Sequence, residues 1–165
     1  MVDRTGLPSP KVRKNRFWVI AEHLEAFAVE EATRLVSPEQ IVQLEQVHCE
    51  MVDIARAQMG QAFILKDLDL HEKIWEFSGN EYVAAALRRS VYPIFAFSAI
   101  RIASCTPFDL LQDAYSHLPL VEAIKAKDPW AAREAFLSAL DVWISTMRGS
   151  LFVGEPSPLP VTMTR

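Results

Sequence analysis

An all-α, antiparallel bundle of six to seven helices is the fold class this sequence predicts, and three observations carry it. Apolar residues recur at three- and four-residue intervals through most of the chain, the period of an amphipathic helix. The punctuation between those stretches consists of helix caps and stops: Ser37-Pro38-Glu39-Gln40, Ser78-Gly79-Asn80, Thr106-Pro107 and Asp128-Pro129. Only five glycines are present, too few for a turn-rich β fold, and no segment shows sustained strand-type alternation.

The first helix is expected from Phe17 to Leu35, with Phe17, Ile20, Leu24, Phe27, Ala28 and Leu35 on its apolar side. Ser37 then caps a second helix, with Pro38 in the first turn and Gln40 completing a capping box. That helix carries Ile41, Leu44, Val47, Met51 and Ile54 on one face and ends near Gly60. A third helix, Gln61 to Phe77, stops at Ser78-Gly79-Asn80. The fourth, from Glu81 to Ile102, is apolar on more than one side (Val91, Ile94, Phe95, Phe97) and is expected to run through the middle of the domain. Thr106-Pro107 restarts the chain, and one fifth helix is expected to continue to Ala126. Asp128-Pro129 opens the last helix, which carries Phe136, Leu140, Trp143 and Met147.

With 165 residues and 50% hydrophobic content, one domain with a substantial core is expected. Residues 1–16 carry five basic side chains against Asp3 and read as a basic, flexible lead-in. Residues 17–148 form the ordered domain, and residues 149–165, with Pro156, Pro158 and Pro160, read as a flexible tail. Outside the lead-in the balance is twelve basic to twenty acidic side chains, which disfavours nucleic-acid binding through the general field. Cys49 and Cys105 lack metal-ligand spacing and read as free thiols. No continuous apolar run reaches membrane-span length and no signal peptide is visible, so a cytoplasmic location without membrane contact is expected.

The chemistry concentrates in KDLDLHEKIWEFSGN. Asp67 and His71, four residues apart, lie one turn above the other on the third helix. Ile64, Leu70, Ile74 and Phe77 turn that side toward the core, where ionisable groups are costly unless paired or bound to something. His117 shares a helical face with Leu110, Ala114, Val121 and Ile124 and is the candidate third member. A carboxylate and two neutral imidazoles suit a divalent transition metal with coordination positions left open. Spacing alone leaves a hydrogen-bonded core Asp–His pair as the other reading.

The succession Asp67-Leu-Asp-Leu-His71, then Ser78-Gly79-Asn80, then His117 through Ala123-Ile124 to Asp128, resembles the FCD effector domain. That domain is the ligand-binding half of FadR-subfamily GntR transcription regulators. The opening LEAFAVEEATRLVSPEQIVQLEQ is similar to the family's first two helices, and the resemblance spans residues 17–148. It implies a homodimeric bundle that encloses a small organic acid; with no evident nucleophile–base pair and no glycine-rich phosphate loop in the sequence, enzymatic activity is not expected. It also implies one divalent metal (Zn, Ni or Mn) on an Asp and three His. Asp67, His71 and His117 match the first three ligands; the fourth position is occupied by Ala139, which helical spacing places beside Phe136 and Trp143. No winged-helix DNA-binding domain is expected in this chain, so contact with DNA is expected only through such a domain elsewhere. The alternative is a stand-alone metal-binding protein or metalloenzyme acting on a small organic acid.

Further candidates are weaker. Arg101 could reach the pocket and pair with an effector carboxylate through its forked guanidinium. Asp113, one turn before His117, reads as an exposed carboxylate or an outer-shell partner of His117. Asp69 and Glu72 read as solvated, and His23 and His48 fall outside the constellation. Trp75, Trp130 and Trp143 read as packing residues.

Overall fold

The computed structural model describes residues 10–103 and 109–151, with side chains described over 19–100, at 102 and over 109–144. Arg101's side chain, Cys105 and Thr106-Pro107 therefore lie outside the described residues. Seven helices are present among the described residues and no strands: α1 (Pro10–Leu35), α2 (Pro38–Arg56), α3 (Gly60–Phe77), α4 (Glu81–Ala103), α5 (Leu110–Ser116), α6 (Leu118–Lys125) and α7 (Pro129–Leu151). The all-α antiparallel bundle expected from the sequence is the fold.

α3 is the spine of the bundle and packs against α1, α2, α4 and α5, while α7 closes the other side on α1 and α6. Its buried stripe is Phe63, Ile64, Asp67, Leu70, Ile74 and Trp75, so a carboxylate sits among five large apolar side chains. Full burial of each of these stabilises the fold by roughly 1.5–3 kcal/mol. Two buried clusters result. The larger joins α1, α2, α3, α5, α6 and α7 around Leu44, Met51, Phe63, Leu70, Leu120 and Ile124. The smaller packs Ala21, Ala28, Trp75, Leu87 and Val91 between α1, α3 and α4.

The caps form as their chemistry dictates. Ser37 Oγ accepts from Gln40 N at 3.2 Å while Gln40 Oε1 accepts from Ser37 N at 2.8 Å, the reciprocal capping box. In Ser78-Gly79-Asn80, Ser78 Oγ donates to the Trp75 carbonyl at 2.6 Å, Gly79 takes the left-handed φ of 67°, and Asn80 Oδ1 accepts from Val83 N at 3.1 Å. The tripeptide thus ends α3, reverses the chain and starts α4.

Four sequence expectations are corrected. α1 begins at Pro10 rather than at Phe17. Its buried stripe is Ala21, Glu25, Ala28 and Ala32, and it leaves Ile20, Phe27 and Leu35 exposed; small residues let α1 approach its neighbours closely, and that approach outweighs side-chain size. The single fifth helix breaks at His117: Pro119, without an amide hydrogen, interrupts the ladder, and the His117 amide reaches back only to Ala114 at 3.3 Å. Trp130 is 71% exposed and packs little. Within α4, Glu81–Ile100 has the length and mean hydropathy (1.2) of a membrane span, yet Val83, Ala84, Leu87 and Val91 are buried in the bundle and Arg88 pairs with Glu72 and Glu76 of α3.

Removing either N-cap oxygen should strand an amide at a helix start. Ser37→Ala and Asn80→Ala are each expected to lower the unfolding free energy by about 1 kcal/mol in urea titrations; no change in either would contradict the capping roles.

Candidate metal site in the bundle core

α3 places Asp67 and His71 on consecutive turns, and the break between α5 and α6 turns His117 toward them. His71 Nε2 lies 3.5 Å from Asp67 Oδ1, and His117 Nε2 lies 3.3 Å from the same oxygen. One ligand atom from each of the three residues falls within 4.8 Å of the others. Bonds of about 2.0–2.1 Å in a tetrahedral shell put neighbouring donors roughly 3.3–3.4 Å apart. The two distances to Asp67 Oδ1 lie close to that spacing.

The other nitrogen of each ring is already committed. His71 Nδ1 donates to Glu25 Oε1 at 2.6 Å, and Trp75 Nε1 donates to the same oxygen at 3.0 Å. His117 Nδ1 donates to the Asp113 carbonyl at 2.9 Å. Outer partners of this type fix the tautomer and aim Nε2 at a metal. His48 adds a brace behind the site, with Nε2 donating to the Ala114 carbonyl at 3.0 Å. It is a structural histidine, as its place outside the constellation implied.

The electrostatics divide the two imidazoles: His71 must give up a proton before its Nε2 can hold a metal, and His117 need not. Burial alone would lower His71, but Glu25, assisted by Asp67 and Asp113, lifts it from 6.5 to about 9. Burial lowers His117; Asp67 pulls it back only in part, and the His71 charge pushes it down again. His117 is therefore neutral at physiological pH, with its Nε2 lone pair facing a carboxylate oxygen. Asp67 Oδ1 is buried and has no hydrogen bond among the described residues. An orphaned oxygen opposite an imidazole lone pair is an unfavourable contact that a cation between them would relieve. These donors fit a divalent transition metal.

The three residues form one end of a cavity of about 750 Å³, open solvent at its mouth included. α1 contributes Glu22 and Glu25; α4 contributes Ile94, Phe95 and Ser98; α7 contributes Phe136, Ala139 and Trp143. Phe95 and Phe136 meet the His71 ring edge-on at centroid distances of 5.5 and 6.3 Å. Asp67, His71 and His117 thus converge, and Ala139 lines the same cavity. Trp143, expected as packing, lines the cavity. Asp113, expected to be exposed, is buried and lines it too, and its backbone rather than its carboxylate holds His117. Asp69 pairs with Lys66 and Lys73, and Glu72 with Arg88, at the partly exposed rim of α3. Sequence reasoning missed Glu25 altogether, although its spacing from Ala21, Ala28 and Ala32 marks the same face.

Sequence comparison matches residues 18–141 to the FCD domain. Among solved structures, the chain is similar to E. coli McbR/YncC at 15% identity and a TM-score of 0.78, over 88% of this chain and 72% of that one. It is also similar to Streptococcus agalactiae GntR at 22% identity and a TM-score of 0.63, over 89% of this chain and 64% of that one. At these identities the structures speak for the fold. No curated protein sequence matches.

The charge arrangement makes the metal-free protein sensitive to alkali. Unfolded His71 loses its proton near 6.5 and the folded residue near 9, so its contribution is complete below pH 6.5 and is lost as pH rises through 9. Asp113, which burial and the Asp67 charge raise from 3.8 to about 8, changes stability in the same direction. Chelator-treated protein should lose on the order of 3 kcal/mol between pH 6.5 and 9 in denaturant titrations, and less in His71→Asn. Stability that is flat or rising across this window would contradict the arrangement.

Proposed function

Because the chain belongs to the FCD domain family, we propose that it is the effector-sensing and dimerisation module of a GntR-type transcription regulator. The observation that carries the reading is the convergence of two imidazole nitrogens on the orphaned Asp67 oxygen at one end of a cavity. The effector is a small organic acid.

Asp67, His71 and His117 would hold a divalent metal (Zn, Ni or Mn), with Glu25 and the Asp113 carbonyl fixing the two rings. Such a metal supplies a Lewis-acid point for a carboxylate oxygen. Ala139, a methyl group on the cavity wall, leaves the space beside the three donors to that ligand. The chain's own residues do the sensing. An occupant touches α1 at Glu22, α4 at Ile94 and Ser98, and α7 at Leu140 and Trp143, and so ties together helices that otherwise meet across a void.

A shift in α4 has an outward consequence. Tyr82 and Tyr92 are exposed along this helix, and this side of α4 would meet a second copy of the chain. Binding that biases one packing of α4 would bias the dimer, and through it any attached winged helices. The module is non-enzymatic and cytoplasmic in this reading, with DNA contact reserved to the winged helix.

Metal analysis of the purified protein tests the site: wild type should carry close to one equivalent, and His71→Ala close to none. Zn at one hundred times its dissociation constant should add about 2.7 kcal/mol, roughly 5–10 °C in melting temperature for a domain of this size. Equal, near-zero metal in both proteins, with no thermal shift, would reject it.

A further inference from the structure

The cavity's polar inventory is unusual for a site that receives an organic acid. Among the described residues no lysine or arginine lines it, whereas Glu22, Glu25, Asp67 and Asp113 all do. Glu25 is consumed by His71 and Trp75. Asp113 is not: the residue is 93% buried, borders the cavity, and its carboxyl group makes no hydrogen bond among the described residues. Buried carboxyl groups are costly without a partner, and in either protonation state this one keeps an acceptor oxygen. It lies one helical turn from His117, whose Nδ1 donates to its carbonyl. Ser98, the other inward polar group, already donates to the Ile94 carbonyl at 3.0 Å. The remaining wall is apolar: Ile94, Phe95, Leu120, Phe136, Leu140 and Trp143.

Resting on the effector reading above, we propose that Asp113 is a specificity-determining residue. It selects an apolar monocarboxylic acid that carries a hydrogen-bond donor, hydroxyl or ammonium, close to its carboxylate. The effector's carboxylate faces Asp67, His71 and His117, its donor group satisfies the Asp113 oxygen, and its hydrocarbon body lies against the Phe95, Phe136 and Trp143 wall. A second carboxylate on the ligand would lie near Glu22 and be repelled.

Calorimetric titration of the Zn-loaded protein with four probes tests this: 2-hydroxy-4-methylpentanoate, leucine, 4-methylpentanoate and succinate. The hydroxy acid or the amino acid is expected to bind at least about tenfold more tightly than 4-methylpentanoate, the worth of one satisfied hydrogen bond, and succinate is expected to bind most weakly. Whichever of the first two leads identifies the donor. Chelation of the metal by the donor would produce the same ranking, so the deciding comparison is Asp113→Ala against Asp113→Asn. The preference should vanish in Asp113→Ala, and Asp113→Asn, which retains an acceptor oxygen, should keep part of it. A preference that survives intact in Asp113→Ala, or succinate binding as tightly as the best probe, overturns the assignment of Asp113 and leaves the effector reading standing. No binding by any of the four acids to Zn-loaded protein overturns both.

Discussion

The contact between Asp67 Oδ1 and the Nε2 atoms of His71 and His117 governs the rest of this structure. Three hydrogen-bonding groups converge in an apolar interior, yet the carboxylate oxygen receives no hydrogen bond among the described residues. Each ring has its Nδ1 anchored elsewhere and cannot rotate to relieve the oxygen without losing its hydrogen bond to Glu25 or to the Asp113 carbonyl. A core built only for stability would place leucine or phenylalanine here. The arrangement is understandable as a site whose energetic balance is completed by something that binds.

The fold supplies the means. α3 can carry a carboxylate and an imidazole inward because Phe63, Leu70, Ile74 and Trp75 on the same stripe bury enough apolar surface to offset their cost. The alanine face of α1 brings a helix close enough for Glu25 to reach His71. The interruption at His117 is equally purposeful in its effect. At the end of α5 the His117 amide turns to Ala114, which leaves the Asp113 carbonyl to the imidazole and to Ser116 Oγ. Outside the cavity, α4 joins the site to the surface, with Ser98 buried at the cavity and Ile100 exposed two residues on.

Much of this was legible in the sequence because the signals were local. The four-residue spacing of Asp67 and His71, the Ser37 capping box and the Ser78-Gly79-Asn80 reversal depend on neighbours a few residues away, and each has the form its chemistry implies. His117 was marked by its own helical face, whereas Ala139 needed the family resemblance. What escaped depended on tertiary competition. α1 has apolar residues on two sides, and periodicity favoured the bulky one; close packing chose the alanines, and Glu25 turned inward with them. Asp113 read as exposed because its burial comes from the packing of α5 against α2, α3 and α7 rather than from its own helix. Trp130 read as core on size alone, yet it lies in the first turn of α7, pointing away from the bundle.

Zinc titration of the chelator-treated protein, run at pH 7.5 in buffers of different ionisation enthalpy, bears most directly on the convergence at Asp67. In the metal-free protein His71 is protonated at this pH, so binding through its Nε2 must release a proton. The account predicts one zinc per chain with at least one proton released, and loss of binding in His117→Ala. Absence of binding, or binding whose heat is independent of the buffer and unchanged in His117→Ala, would contradict it.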